Sequence, residues 1–441
     1  MTVGPAPIRH IVAVLALADL TIPRPSAVAH GPFVAALAAA SDHEAETSAR
    51  WQATAAGLLV LHVLDLWASD PGDLSESWRN VVARVERLPQ AESIRALLLA
   101  VASAARTPAR QGGQSPLVPL TAYARALERD AEWSLAADVY ETVIARASDV
   151  GAHDLVPSAY ERLAYCSRLR GNLDAADRAI QAGRAVARAQ RDETADLWLR
   201  LSAANLIVHR GNLPAAAAAF EALIADATAA GAFQIAISAR HDSGAVAFAR
   251  GEYERAALLY FSAAEAYEDS DQRARALYDL GTAASALGHR HLARCVNECI
   301  FAAAPSREFR WTAAVNLLEQ AVLDGSETMF EYYRQSLQDE PLPVSLLANF
   351  HLYTGRGYVR FGRLLLARQA FGRVLGVATD ASLNQIRHIA DGEIEALDRV
   401  VVSVPEERRR HPAPTPAPGS WSPAVDDLVR GVDRLKAGMA G

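Results

Sequence analysis

Residues 244–263 read GAVAFARGEYERAALLYFSA, and this stretch decides the fold. A small residue, Gly244, stands seven places before a second glycine, Gly251. Tyr253 follows two places later, Ala256 five places later and Tyr260 nine places later. Ala256, Tyr260 and Ala263 recur at helical spacing and share one face of a helix. Gly251 marks the turn between that helix and the one before it, because glycine accepts a backbone conformation that other residues resist. The stretch therefore predicts two antiparallel helices, with a small residue where they come close.

The same pattern returns along the chain. Ala164, Gly171, Leu173, Ala176 and Ile180 form one copy; Ala204, Gly211, Leu213, Ala216 and Phe220 form another. A late copy has Gly355, Gly362, Leu364, Ala367 and Phe371. The turn positions are Ala131, Gly171, Gly211, Gly251, Gly288, Gly325 and Gly362, at successive separations of 40, 40, 40, 37, 37 and 37 residues. Such regularity marks a repeat architecture, in which each hairpin buries its apolar face only against its neighbours.

This spacing resembles the tetratricopeptide repeat, and the copy Leu277, Leu280, Gly281, Gly288, Ala293 and Pro305 follows that pattern closely. The resemblance spans about residues 117 to 395. It departs from the pattern at Gly325, where Phe330 stands in place of the closing alanine, and its period exceeds the usual 34 residues. Longer helices, or inter-unit loops such as 226–232, would absorb the excess. The resemblance implies an all-α protein, a right-handed α-solenoid of about seven hairpins behind a helical N-terminal domain. The expected divisions are 1–110 for that domain or cap, 117–400 for the solenoid, 403–422 for a proline-rich linker and 423–441 for a C-terminal amphipathic helix.

Composition agrees with a folded, water-soluble chain. Of 441 residues, 51% are hydrophobic and 22% charged, which excludes a disordered or collagen-like protein. The balance of 44 basic against 51 acidic residues argues against direct nucleic-acid binding, because phosphate affinity needs a basic surface. Residues 1–110 carry nine Arg against ten acids, with no basic recognition helix. Helices are expected there near 31–41, 43–68, 74–88 and 90–106, the second bearing a stripe of Trp51, Ala55, Leu58, Leu59, His62 and Leu66. Ala-rich usage with a single lysine, Lys436, points to a GC-rich bacterial genome. Three cysteines make no disulfide framework and suit a cytoplasmic setting. The apolar octet at 11–18 is followed by Asp19, Pro23, Arg24 and Pro25 and is read as no signal peptide, despite Ala27-Val28-Ala29. The apolar stretch 53–64 is too short to span a bilayer.

Chemistry-bearing motifs are scarce. There is no HExxH, P-loop, GxSxG or calcium loop. Gly355-Arg356-Gly357 with Gly362 imitates a nucleotide loop, but it falls inside a repeat. His289, His291, Cys295 and Cys299 have residue types suited to zinc, yet they string along one helix and are read as structural. His62 and Asp65 form a pair with no nucleophile. No catalytic residue, metal or cofactor is expected.

What remains is a groove. In a solenoid of the kind this chain resembles, the first helix of each hairpin lines the concave surface. Counting from each turn projects Glu161, Tyr165, Arg168, Asn205, His209, His241, Phe248, Tyr278, Thr282, Asn316, Glu319, Arg356 and Arg360 toward it. Aromatics would supply contact area, and Asn or Arg hydrogen bonds to a peptide backbone or carboxylate. The leading expectation is a non-enzymatic scaffold holding a protein or peptide there. The alternatives are a sensor for a small peptide or metabolite and, more remotely, an enzyme with its site in the N-terminal domain. The tail is expected to form a helix from Pro423 whose stripe of Val425, Leu428, Val429, Val432 and Leu435 packs onto the solenoid over 423–437, its open end offering a surface; the alternatives are a flexible hook for another protein and a disordered tail.

Overall fold

A computed structural model describes residues 30–39, 48–69, 74–88, 93–106, 115–304, 306–381, 383–403 and 422–439. The apolar octet at 11–18, most of the 107–119 boundary and the proline-rich run 412–419 lie outside them. Among the described residues there are α-helices and one short 3-10 turn, and no strand. The chain divides into two compact units, Met1–Ala215 and Ala216–Gly441.

Unit 1 opens with α1 (Gly31–Ala39), α2 (Ala49–Ser69), α3 (Ser75–Glu86) and α4 (Ser93–Arg106). The hairpin of α5 (Leu117–Arg129) and α6 (Trp133–Arg146) follows, then that of α7 (Val156–Leu169) and α8 (Leu173–Gln190), then α9 (Glu193–His209). The last helix, α10 (Leu213–Ala229), straddles the division between units. Unit 2 continues with the pairs α11 (Phe233–Ala249) and α12 (Tyr253–Ala266), then α13 (Ser270–Ala286) and α14 (Arg290–Ala303). The pairs α15 (Arg307–Asp324) and α16 (Glu327–Leu337), then α17 (Val344–Arg360) and α18 (Leu364–Asp380), complete the array. It closes with α19 (Asn384–Ser403) and α20 (Pro423–Met439).

All seven turn positions adopt left-handed backbone angles, with φ +58° at Ala131 and +71° to +79° at the six glycines. The hydrogen bonds explain why the chain reverses there. At Gly251 the amide bonds to the Phe248 carbonyl at 2.9 Å, and the next amide, of Glu252, reaches back to Ala247 at 2.9 Å. This closes the helix with its last carbonyls satisfied, in the way a left-handed terminal residue permits. The second helices of several hairpins then start on a side-chain cap: Asn172 accepts from the Ala175 amide at 3.1 Å and His289 from Leu292 at 3.1 Å. Extra repeat length goes into long helices rather than loops. Residues 226–229 belong to α10, and only a tight turn at Gly231 (φ +70°) follows.

The small residues predicted at the close approach sit under the large ones predicted opposite. A Cβ on Gly244 would stand 2.7 Å from Tyr260, and one on Gly355 would stand 2.4 Å from Phe371. The alanines five places after each turn are fully buried, Ala256 and Ala367 among them. Phe330, the departure from the pattern, is accommodated from the next hairpin: a Cβ on Gly357 would meet it at 2.1 Å. Gly355 and Gly357 thus each clear space for a neighbouring aromatic, which accounts for the glycine cluster without any nucleotide.

The N-terminal helices share one core with the first hairpins. Phe33, Leu61, Trp78 and Leu98 belong to the same buried cluster as Leu120, Tyr140 and Cys166. Helix α2 is buried beyond the expected stripe, with Ala56, Val60, Leu61 and Leu64 at 0–1% exposure. Its close contact is at Gly57, where a Cβ would lie 2.2 Å from the Tyr123 hydroxyl. Within this core His30 bonds Asp138 at 2.8 Å through Nδ1 and Asp65 at 3.0 Å through Nε2, while Arg146 holds the other Asp65 oxygen at 2.9 Å. Asp65 is therefore a tether between α1, α2 and α6. Burial opposes charge on the imidazole, but the bonds to both carboxylates outweigh it and raise the His30 pKa to about 9.

The tail helix docks on the repeat helices as expected, but at a different berth. α20 packs against α12 and α14, not on the end of the array. The physical reason is that α19 already covers α17 and α18, burying Ala390 and Leu397.

Two outcomes follow from this packing. Replacing Ala256 by Arg puts a charge in a contact with no room or partner, and thermal denaturation should show a loss of about 3 kcal/mol or more. An Ala256→Arg protein as stable as the wild type would mean the register is wrong. His30 is charged in the fold above its unfolded pKa of 6.5, so its contribution is complete below about pH 6.5 and disappears as pH rises through about 9. Denaturant melts across that range should show a decline of about 3 kcal/mol, absent from His30→Gln.

Candidate functional site

In unit 1 the first helices of successive hairpins are joined by side chains along one face. Glu161, Tyr165 and Arg168 occupy i, i+4 and i+7 of α7, and Ser202, Asn205 and His209 occupy i, i+3 and i+7 of α9. The Ser202 hydroxyl donates to Glu161 Oε1 at 3.2 Å. At the other end His209 Nδ1 donates to the Asn205 carbonyl at 3.0 Å, which leaves Nε2 to accept from Arg168 at 3.1 Å. Four of the expected residues therefore meet in two cross-helix bonds or their immediate support.

Tyr165 lies between them, half-buried. The Arg162 guanidinium stands 4.3 Å from its ring centre and that of Arg168 5.3 Å. Trp133 meets it edge-on at 5.8 Å and 77°. Both cations lie where the ring's negative face attracts them. Arg162 is itself anchored from α5: its Nε donates to Glu128 Oε1 at 3.0 Å, a second nitrogen donates to the other oxygen, and the Tyr140 hydroxyl donates to Oε1 at 2.7 Å. Burial raises the Glu161 pKa, with Arg162 and the Ser202 bond pulling the other way. Burial also raises the Cys166 thiol, to about 12, so it is not a nucleophile.

The expected residues of unit 2 fall into separate groups. His241 is only 7% exposed: its Nε2 meets Asp279 at 2.8 Å, its Nδ1 meets the Tyr267 hydroxyl at 3.2 Å, and Tyr260 packs edge-on at 5.5 Å. Its side chain is committed to joining α11 to α13. Phe248 packs on Tyr253 at 5.2 Å, and the exposed Tyr278 leans on Phe309 at 6.3 Å. Thr282 bonds the Tyr278 carbonyl at 3.1 Å, and the Asn316 amide donates to Asn297 at 3.2 Å. Glu319 accepts from Tyr353, and Arg356 pairs with Glu393 at 2.7 Å, linking α15, α17 and α19. Burial raises Glu319, opposed by Tyr353 and Arg356; it also raises Tyr353, to about 12. Arg360 lies over the Gly325 turn, 2.7 Å from where a Cβ would stand.

Projection from single helices missed the partners supplied by neighbouring ones: Glu128, Trp133 and Ser202 in unit 1, Tyr353 and Glu393 in unit 2; it also passed over Arg162, on α7 itself. Tyr353 stands one 37-residue period after Asn316, so the repeat spacing itself could have found it. The metal alternative does not assemble. His289 caps α14, His291 lies 3.9 Å from Cys295, and both cysteines face into an apolar cluster. Among the described residues no three His, Cys, Asp or Glu side chains gather as a metal site, and no helix is long and apolar enough to cross a membrane.

Removing the Glu128 carboxylate takes both short hydrogen-bonded contacts from Arg162, which holds only about a fifth of its side chain in solvent and keeps only the longer pairing with Glu161 at 3.8 Å. Glu128→Ala should cost about 3 kcal/mol in denaturant unfolding and release Tyr165 from its stack. A loss under about 0.5 kcal/mol, within the range of an ordinary surface change, would show that the pair is not structural.

No family model matches the chain, and no curated protein matches it. Solved structures are similar to it at low identity. The apo quorum sensor NprR from B. thuringiensis is 13% identical with a TM-score of 0.44, over 84% of this chain and 97% of that one. A Rap conjugation gene regulator of the plasmid pLS20, solved with the Phr* peptide, is 12% identical with a TM-score of 0.41, over 80% and 98%. A signal-transduction ATPase with a tetratricopeptide repeat sensor, from Pyrococcus horikoshii, is 12% identical with a TM-score of 0.45, over 87% and 54%. The seven left-handed turns, the buried alanines after them and the small-over-large contacts of the hairpins make this chain's fold tetratricopeptide-like.

Proposed function

We propose that this chain is a non-enzymatic scaffold that holds a protein or peptide along the first helices of its hairpins. The observation that carries the reading is the platform in unit 1, where Tyr165 is fixed face-on by Arg162 and Arg168 and edge-on by Trp133. A rigid aromatic ringed by arginine gives large contact area at little entropic cost, the composition of binding hot spots. Arg168 and His209 at its rim suit a carboxylate or a peptide carbonyl. The neighbouring Cys166 is no nucleophile: it is buried, and its thiol is pushed far above neutrality. The buried cysteines, none in a disulfide, fit a cytoplasmic home, and the alanine-rich, lysine-poor sequence a bacterial one.

Affinity capture on full-length protein, quantified by mass spectrometry, tests this. A stoichiometric protein partner should be recovered by the wild type. Tyr165→Ala and Arg168→Glu should each weaken it about thirtyfold, or about 2 kcal/mol, with unchanged circular dichroism. Equal recovery by both variants would remove the platform from the binding site. Stabilisation by a small metabolite with no protein partner would favour a sensor instead.

A further inference from the structure

The second-helix face of unit 2 carries one element that belongs to no hairpin. α20 lies across α12 and α14, the second helices of two successive repeats. Val425 and Val432 are completely buried and Leu428 nearly so, in one cluster with Phe261, Cys295 and Cys299. The approach is closest at Gly431, where a Cβ would stand 2.2 Å from the Phe261 ring. Any side chain larger than hydrogen would lift the helix off. Two polar ties fix its direction. The Ser422 amide donates to Glu254 at 3.1 Å, and Lys436, the one lysine of the chain, reaches Glu298 at 3.2 Å. Glu254 thus receives a helix N-terminus, where amides lack intrahelical partners, and Glu298 receives a cation at the far end.

α12 packs on α11 and α13, and α14 on α13 and α15, so the hairpins close without it. Asp427, Arg430, Asp433 and Arg434 are exposed and would keep the released segment in solution. A helix of 17 residues is marginal in water by itself, so its order comes from the cleft it fills.

We propose that the cleft between α12 and α14 is a docking site for an amphipathic helix bearing aliphatic residues at i, i+3 and i+7 with a glycine at i+6, and that α20 is its displaceable resident. A partner helix of this pattern, with a cation one turn beyond the last aliphatic residue, competes for the same Phe261 and Glu298. α20 belongs to the same chain as its cleft, so its docking is intramolecular; it excludes weak competitors and yields to a strong one. Displacement uncovers Cys295 and Cys299, giving the event a chemical reporter.

The test uses a fluorescent peptide of residues 422–439 and three full-length proteins, wild type, Gly431→Val and Leu428→Asp. Gly431 lies outside every hairpin, so the variant keeps its circular dichroism; Leu428→Asp reaches the same released state by a second route. The peptide is expected to bind each released protein at one site, at least tenfold more tightly than the wild type. A peptide carrying the Gly431→Val change should not bind. Cys295 and Cys299 should react with a thiol reagent faster in the released proteins and be protected again by peptide. Binding to all three proteins alike, binding to none, or unchanged thiol reactivity would each overturn the proposal. The outcome does not involve the Tyr165 platform and is independent of the function proposed above.

Discussion

The contact between a residue with little or no side chain on one helix and a bulky one on its partner is what every hairpin in this molecule depends on. Gly244 under Tyr260 and Gly355 under Phe371 bring two backbones to a separation that any Cβ would prevent. The ring then fills the space at close-packed density, and its burial contributes a few kcal/mol per hairpin. The left-handed turn matters because it sets which residues face each other. Five residues on, an alanine can close the pair, and nine residues on, the large side chain drops into place. Phe330 shows that the rule concerns volume rather than position, since Gly357 on the following first helix yields the space that an alanine would otherwise have left free.

Charge is used differently. Unit 1 buries two polar networks, His30 with Asp65, Asp138 and Arg146, and Glu128 with Tyr140 and Arg162. Ion pairs taken out of water return little net stability, because desolvation offsets the attraction. Their effect is on which helices can be neighbours: a misplaced helix would leave a carboxylate or guanidinium buried without its complement. His30 ties together segments 108 residues apart, and Arg162 carries that order outward to the Tyr165 platform. The rigidity of the candidate site therefore descends from the core beneath it.

Unit 2 assigns distinct roles to its two helix sets. The first helices are cross-linked by His241 to Asp279, Glu319 to Tyr353 and Arg356 to Glu393. The second helices present the apolar cleft filled by α20. Because α20 bridges successive repeats, its presence restrains the angle between them, and that angle is the softest coordinate of a repeat array, where each unit contacts only its neighbours.

The repeat was legible in the sequence by itself, because its determinants are local: a turn residue, an alanine five places on and a large residue nine places on obey spacing alone. All seven turns, the helices of 30–106 and the amphipathic tail were readable in this way. The spacing of Glu161, Tyr165 and Arg168 likewise placed them on one helix face. What spacing could not decide was which groups from other helices meet them. Glu128, Trp133 and Ser202 reach the platform only because α5 to α9 stack, and His241 is inward-facing only because Asp279 and Tyr267 close over it. The berth of α20 also lay beyond the sequence. Its stripe announces a need for burial, but the cleft at Phe261 and the occupation of the array's end by α19 exist only once distant helices have packed.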